Sequence, residues 1–94
     1  MEFEWDDKKA EANFRKHGVR FSEAVSVWLD GNSLETPDPE HSEIEERWVR
    51  LGYSSHARML LIIFVEKNEE KIRIISARKA TIKEQSQYIK RGKS

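Results

Sequence analysis

Three consecutive pieces decide the fold: Arg58-Met-Leu-Leu-Ile-Ile-Phe-Val-Glu66, the charged link Lys67-Asn-Glu-Glu70, and the return Lys71-Ile-Arg-Ile-Ile-Ser-Ala-Arg-Lys79. Met59 to Val65 is an unbroken apolar run. It is too short to span a bilayer, and its Ile, Phe and Val content predicts a strand buried on both faces. Glu66 to Glu70 is costly to bury, and Asn68 tolerates left-handed geometry, so this segment reads as a hairpin turn. In the return strand Ile72, Ile74, Ser76 and Arg78 should face one way, and Arg73, Ile75, Ala77 and Lys79 the other. A strand this apolar that ends in Arg78-Lys79 delivers two cations to the rim of a packed sheet, where an anionic ligand would meet them. Ordinary solvation of a strand end explains the same two residues.

Working outward, Arg47 to Tyr53 alternates apolar and polar positions, with Gly52 to Ala57 as the turn into the central strand. Three strands joined by short turns predict an antiparallel meander. Residues 33–46 hold Pro37, Pro39 and six acids without a Lys or Arg, and read as a loop or short irregular edge. Asp38, Glu40, His41 and Glu43 match no ligand spacing, so no metal is expected there. Phe21, Ala24, Val25, Trp28 and Leu29 follow the spacing of an amphipathic helix, N-capped by Ser22 and ended by Asp30-Gly31-Asn32. An earlier helix is expected over residues 7–17, capped by Asp6, stopped by Gly18, and carrying Ala10, Phe14 and His17 on one side. Phe3-Glu4-Trp5 suits a short edge strand. Downstream, Thr81-Ile-Lys-Glu84 is a capping box opening a helix with Ile82, Gln85 and Ile89 inward. The class is α+β: a small, mainly antiparallel sheet with two N-terminal helices and one C-terminal helix packed on it, in one domain over 1–94.

The totals narrow the function. Charged residues make up 36% against a usual quarter, while three Trp, four Phe and two Tyr argue against disorder. Without cysteine, disulfides and thiolate metal sites are excluded. The N-terminus Met-Glu-Phe-Glu-Trp-Asp-Asp has no signal-peptide pattern and no stretch reaches transmembrane length, so a soluble cytoplasmic protein with no membrane partner is the simplest expectation. The zero net charge hides an asymmetry. Residues 1–46 hold five Lys or Arg against thirteen Asp or Glu, net −8; residues 47–94 hold twelve against four, net +8. A basic half points to an anionic partner, nucleic acid first.

The chain lacks a cysteine nucleophile, a Gly-rich phosphate loop and a Gly-x-Ser-x-Gly elbow. A set of Arg, Lys, His, Tyr and Glu on or beside a sheet remains, and it permits RNA cleavage. The 2′-hydroxyl is an internal nucleophile, so the protein need only position the phosphate, stabilise its charge and move protons. Guanidinium forks match phosphate oxygens, and imidazole ordinarily titrates near neutrality.

Phe3-Glu-Trp-Asp6, Asn13-Phe-Arg-Lys-His-Gly-Val19, Phe21-x-Glu23-Ala24, Glu45-Glu-Arg-Trp48 and Arg73-Ile-Ile-Ser-Ala-Arg78, with Ala80 and Glu84, together resemble the BrnT family of ribonuclease toxins. The resemblance covers nearly the whole chain in order. It implies a fold like the RelE and ParE toxins, RNA cleavage without a cofactor, neutralisation by an antitoxin with a ribbon-helix-helix DNA-binding region, and promoter DNA binding by the toxin–antitoxin complex. Carried onto this sequence, it makes His17, Glu46, Arg47 and Arg78 the catalytic candidates. Arg47 and Arg78 would contact phosphate, His17 would transfer protons, and Glu46 would act as base or hold Arg47. Lys16, Arg58 and Arg73 would bind substrate. Lys79, from its place at the strand end, and Tyr88, on the C-terminal helix, are further substrate-side candidates, and packing on the sheet explains Tyr88 equally; Trp5, Phe14 and Phe21 are read as packing and His56 as solvated surface. Lys16 and His17 also suit a helix C-terminus, where cations meet the carbonyl end. Two other readings fit the scaffold: a module that holds nucleic acid or protein without cutting, and a ParE-like toxin aimed at a protein.

Overall fold

The computed structural model describes residues 1–38 and 45–92. The metal-spacing argument over Glu40, His41 and Glu43 lies outside them. The chain runs β1 (Glu2–Glu4), α1 (Asp7–His17), α2 (Phe21–Val25), a 3-10 turn (Ser26–Leu29), β2 (Leu34–Pro37), β3 (Arg47–Tyr53), β4 (Met59–Asn68), β5 (Lys71–Lys79) and α3 (Ile82–Gly92). The five strands form one sheet in the order β1-β5-β4-β3-β2. The meander β3-β4-β5 is antiparallel, β2 adds antiparallel to β3, and β1 alone pairs parallel, with β5. This is the α+β, mainly antiparallel architecture the sequence predicts.

One face of the sheet is dry. Leu60, Ile62 and Phe64 of β4 and Ile72, Ile74 and Ala77 of β5 pack with Val19, Phe21, Ala24 and Val27 beneath α1 and α2. Trp28 joins this core edge-on, with ring centroids 5.0 Å from Phe64 and 5.1 Å from Phe3, geometry that favours aromatic pairs beyond the area they bury. The other face carries only a small cluster, Leu51, Met59 and Ala80 with Leu61 and Tyr88, under α3.

Five local expectations change. Ile63 pairs with Ser76 while Phe64 pairs with Ile74, so Ile75 is bulged out of the ladder. An extra residue shifts everything after it to the opposite face, which is why Ala77 joins Ile72 and Ile74 in the core and Arg78 turns towards α3. The second helix is α-helical only to Val25 and starts at Phe21, with Ser22 inside its first turn. Its 3-10 continuation repeats every three residues, burying Phe21, Ala24 and Val27 and leaving Leu29 87% exposed. In α3, Ile82 is 83% exposed and Ile89 also faces solvent, while Glu84, Gln85 and Tyr88 turn inward. Phe14 is exposed and lies under the Arg20 guanidinium, 4.0 Å from its ring centroid, instead of packing in the core. The β4–β5 turn is also tighter than expected: β4 continues to Asn68, whose side-chain oxygen accepts from the Glu70 amide at 2.8 Å.

Other signals hold. Asp6 Oδ1 accepts from the Lys9 amide at 3.0 Å, and Gly18 adopts φ 70 with its amide bonded to Phe14 O, as a left-handed helix stop requires. Thr81 and Glu84 make both bonds of the capping box. Gly52 is needed for close approach: a Cβ there would lie 2.8 Å from Ser33 Cβ and 3.0 Å from Val27 Cγ1.

Candidate active site

Register sorts the candidate residues into two ends of the sheet. Arg58 precedes the first residue of β4, and Lys79, paired with Leu60, closes β5 at the same end. The C-terminus of α1 is fixed there. Asn13, buried, donates through Nδ2 to Ala77 O at 2.9 Å and Val19 O at 3.0 Å, and accepts from the Ala77 amide at 3.1 Å. β1 pairs only with Lys71 to Arg73. One side-chain amide therefore supplies the bonds a neighbouring strand would make to Ala77, holding Lys16, His17 and Gly18 beside β5. Lys16 and His17 line an open cleft of about 260 Å³ with Asn13, Ile75 and Ser76.

Around the other side of Gly18 lies a second cleft, of about 410 Å³, lined by Phe14, Gly18, Arg20, Glu23, His56 and Arg58. Its floor is Glu23, whose side chain is 4% exposed. Arg58 Nε donates to Glu23 Oε2 at 3.0 Å, Arg58 Nη2 donates to Oε1 and, at 3.2 Å, to Gly18 O. Ser54 Oγ donates to Oε2 at 2.6 Å, and His56 Nδ1 lies 3.3 Å from Oε1. The Arg58 guanidinium holds the Glu23 carboxyl below the usual carboxylate range, against burial that alone would raise it. The same pairing raises Arg58. The result is an ionised buried carboxylate, an arginine locked in one pose and an imidazole at the rim. Glu23 stands in the Phe21-x-Glu23-Ala24 block but has no site role in the sequence reading, and His56, read as solvated surface, is 66% exposed with Nδ1 beside that carboxylate. The available signal is a carboxylate set between Phe21 and Ala24, both core residues of α2.

The remaining candidates do not join this cluster. Arg78 extends towards α3 and forks onto Glu84, Nη1 to Oε1 and Nη2 to Oε2, both at 2.9 Å. This fork raises Arg78 and lowers Glu84, and it ties α3 to the strand that precedes it. Tyr88 donates to Asp30 Oδ2 at 2.8 Å and meets Tyr53 edge-on. Burial, then the Asp30 carboxylate, pushes its hydroxyl up to about 12. Burial alone would raise Asp30, but the Tyr53 and Asn32 amides and the Tyr88 hydroxyl outweigh it and leave its carboxyl lowered. Arg47 and Arg73 flank Val65 at the far end of the sheet, roughly 17 Å from Leu60 at about 3.3 Å per residue. Arg73 Nε donates to Glu4 Oε2 at 2.8 Å. Glu46, exposed, sits beside Arg47 at that far end. The structure thus brings Lys16, His17, Arg58, Arg78 and Lys79 to one end and Glu46, Arg47 and Arg73 to the other. Among the described residues, no group of three or more His, Asp or Glu is placed to hold a metal ion.

A family model described as the ribonuclease toxin BrnT of a type II toxin–antitoxin system matches residues 5–84. No curated protein matches the chain. Among solved structures, the crystal structure of the Brucella abortus ribonuclease toxin BrnT superposes with a TM-score of 0.66 at 24% identity, covering 86% of this chain and 97% of that one. At that identity the likeness speaks for the fold.

Proposed function

The chain belongs to the BrnT family of ribonuclease toxins of type II toxin–antitoxin systems, and from that premise we propose that it cleaves RNA at the end of the sheet where α1, the β3–β4 turn and the end of β5 meet. It is an endoribonuclease, with RNA as substrate and an antitoxin as partner. The observation that carries the placement is the open cleft over the Glu23–Arg58 pair, with Arg20 on its rim. Lys79 shares the face of Ala77 at that same end. Fixed cations there favour the extra negative charge that builds on phosphate as the 2′-oxygen attacks.

In this scheme Arg58, Lys16 and Lys79 hold the scissile phosphate, and His17 moves protons beside it. Arg78, forked onto Glu84 on the opposite face, braces α3. Tyr88, bonded to Asp30, positions α3. Arg47 and Arg73, with Glu46 beside Arg47, contact the strand farther from the cut. The chemistry calls on no metal or cofactor, since the nucleophile is the substrate's own. The antitoxin, through a segment joined to a ribbon-helix-helix DNA-binding region, covers the basic rim, and the complex binds promoter DNA. The cytoplasm, where RNA and antitoxin meet, is the place of action.

The test is cleavage of a labelled RNA in EDTA by wild type, Lys16→Ala/Lys79→Ala and Arg47→Gln. Both lysines are exposed, so the double variant keeps its fold; it should cleave at least about 10-fold more slowly, a loss of about 1.4 kcal/mol. Full activity in that variant together with a collapse in Arg47→Gln would move the centre to the far end of the sheet. Loss of wild-type cutting in EDTA would show that a metal takes part.

A further inference from the structure

We propose that His56, held by the buried carboxylate of Glu23, is a proton-transfer residue of RNA cleavage, and that Glu23 is its positioning residue; the inference rests on the placement of the centre argued above.

The turn that carries His56 is fixed from several directions. The Ser54 amide bonds Arg58 O at 2.8 Å and the Ala57 amide bonds Ser54 O at 2.9 Å. Ser55 N donates to Ser26 Oγ at 2.8 Å, and that hydroxyl donates back to Glu23 O. Ser54 Oγ accepts from the His56 amide at 3.2 Å while donating to Glu23. Ala57 has φ 57, the one left-handed non-glycine among the described residues. A Cβ in that region costs about 1–2 kcal/mol and persists only where the surroundings enforce it. A type I turn closed by a left-handed residue is a common hairpin connection, and the bonds to Ser26 and Glu23 tie this one to α2. Here it sets backbone and side chain of His56 around one carboxylate.

Nδ1 lies 3.3 Å from Glu23 Oε1 and the His56 side chain is 66% exposed; a carboxylate beside Nδ1 favours the tautomer that carries its proton there and leaves Nε2 as the acceptor. The ring lines the cleft with Arg20 and Arg58. The charged groups facing it are Glu23 from α2, Arg58 at the start of β4 and Arg20 ahead of α2. A nucleophile, a base and an orienting carboxylate form the usual arrangement for activating a hydroxyl. Nε2 takes the proton of the 2′-hydroxyl, O2′ forms a bond to phosphorus, and the P–O5′ bond breaks with its electron pair on O5′. That oxygen takes a proton from His17 or water. The products are a 2′,3′-cyclic phosphate and a 5′-hydroxyl, and Glu23, ionised beside Arg58, stabilises the imidazolium formed.

The experiment compares full-length wild type, His56→Ala and His56→Gln on a labelled RNA, following kcat/KM from about pH 5 to 9. Affinity is read separately with the same RNA made uncleavable by 2′-O-methylation. Both variants should bind within about twofold of wild type, lose about 100-fold in kcat/KM, and lose the part of the pH profile in which an imidazole titrates. A variant whose rate and profile parallel the wild type overturns the proposal. Affinity falling in step with cleavage overturns it too, because His56 would then be a contact. Lys16→Ala/Lys79→Ala separates the two readings. If that variant is crippled while His56→Ala cuts normally, the placement stands and the role of His56 falls; if it cuts normally, the placement itself fails.

Discussion

Two arginine–glutamate forks sit at the same end of the sheet, on opposite faces, and they are built differently. Arg78 and Glu84 are six residues apart, and Glu84 also closes the capping box with Thr81. Arg58 and Glu23 are 35 residues apart, and the carboxylate is shared by an arginine, a serine and a histidine drawn from one turn. The first fork joins a strand to the helix that follows it, and its partners meet as soon as that link folds. The second exists only after α2 has docked on the sheet. Glu84 keeps a backbone partner if Arg78 is lost, whereas Glu23 would be left buried with one hydroxyl and a largely exposed imidazole 3.3 Å away.

Truncation should therefore separate the forks sharply. Arg58→Ala leaves the buried Glu23 without its counter-ion, and breaking such a pair costs about 3 kcal/mol even with Arg58 partly exposed. The midpoint of urea unfolding should fall accordingly. Arg78→Ala removes a more exposed fork whose carboxylate is still capped, so water screens most of the loss and about 1 kcal/mol or less is expected. Equal midpoints for the two variants would mean that the Glu23 site is open to water in solution.

Acid should sharpen the same contrast. Both carboxyls are held below their ordinary range, Glu23 by Arg58 and Glu84 by Arg78. A depressed folded-state pKa contributes stability that is present above the ordinary carboxylate range and is lost as pH falls through the depressed value. Urea midpoints for wild type should drop as pH is lowered from about 6 to 3. Glu23→Gln and Glu84→Gln should each flatten that decline, Glu23→Gln more, because its carboxylate is the drier of the two. A decline in Glu23→Gln as steep as in wild type would remove that carboxylate from the acid response.

The same division marks what was legible in the sequence. Features with partners a few residues apart could be read: the Asp6 cap, the Gly18 stop, the Thr81–Glu84 box and the β3-β4-β5 meander. The BrnT blocks gave the class of enzyme. What escaped depends on partners far along the chain or on a change of period. A bulge at Ile75 carries no mark beyond its neighbours' apolarity, yet it decides which face Ala77 and Arg78 occupy. The switch from α to 3-10 at Ser26 turns a 3.6-residue reading into a three-residue one, moving Leu29 out and Val27 in. His56 is solvated as read, 66% exposed, but its neighbour Glu23 lies 33 positions earlier and could not be read beside it. The resemblance grouped Arg47 and Arg78 as phosphate contacts, but register puts them at opposite ends of the sheet.

The smallest expected effect tests whether the turn's strain belongs to the second fork. Glycine at position 57 removes the Cβ penalty of the left-handed pose, worth about 1–2 kcal/mol, but widens the unfolded ensemble at a cost of about 0.4–1 kcal/mol. Ala57→Gly should therefore stabilise the protein slightly, by roughly 0.5 kcal/mol, read as a small rise in the urea midpoint. If alanine serves to hold His56 and Arg58 against Glu23, the stabilised variant should cleave RNA more slowly, because glycine lets the turn sample other poses. A rise in stability with unchanged cleavage would make the strain incidental to the turn. A fall in stability would mean that the surrounding bonds do not enforce φ 57, and that the turn relaxes in solution to a pose in which His56 need not face Glu23.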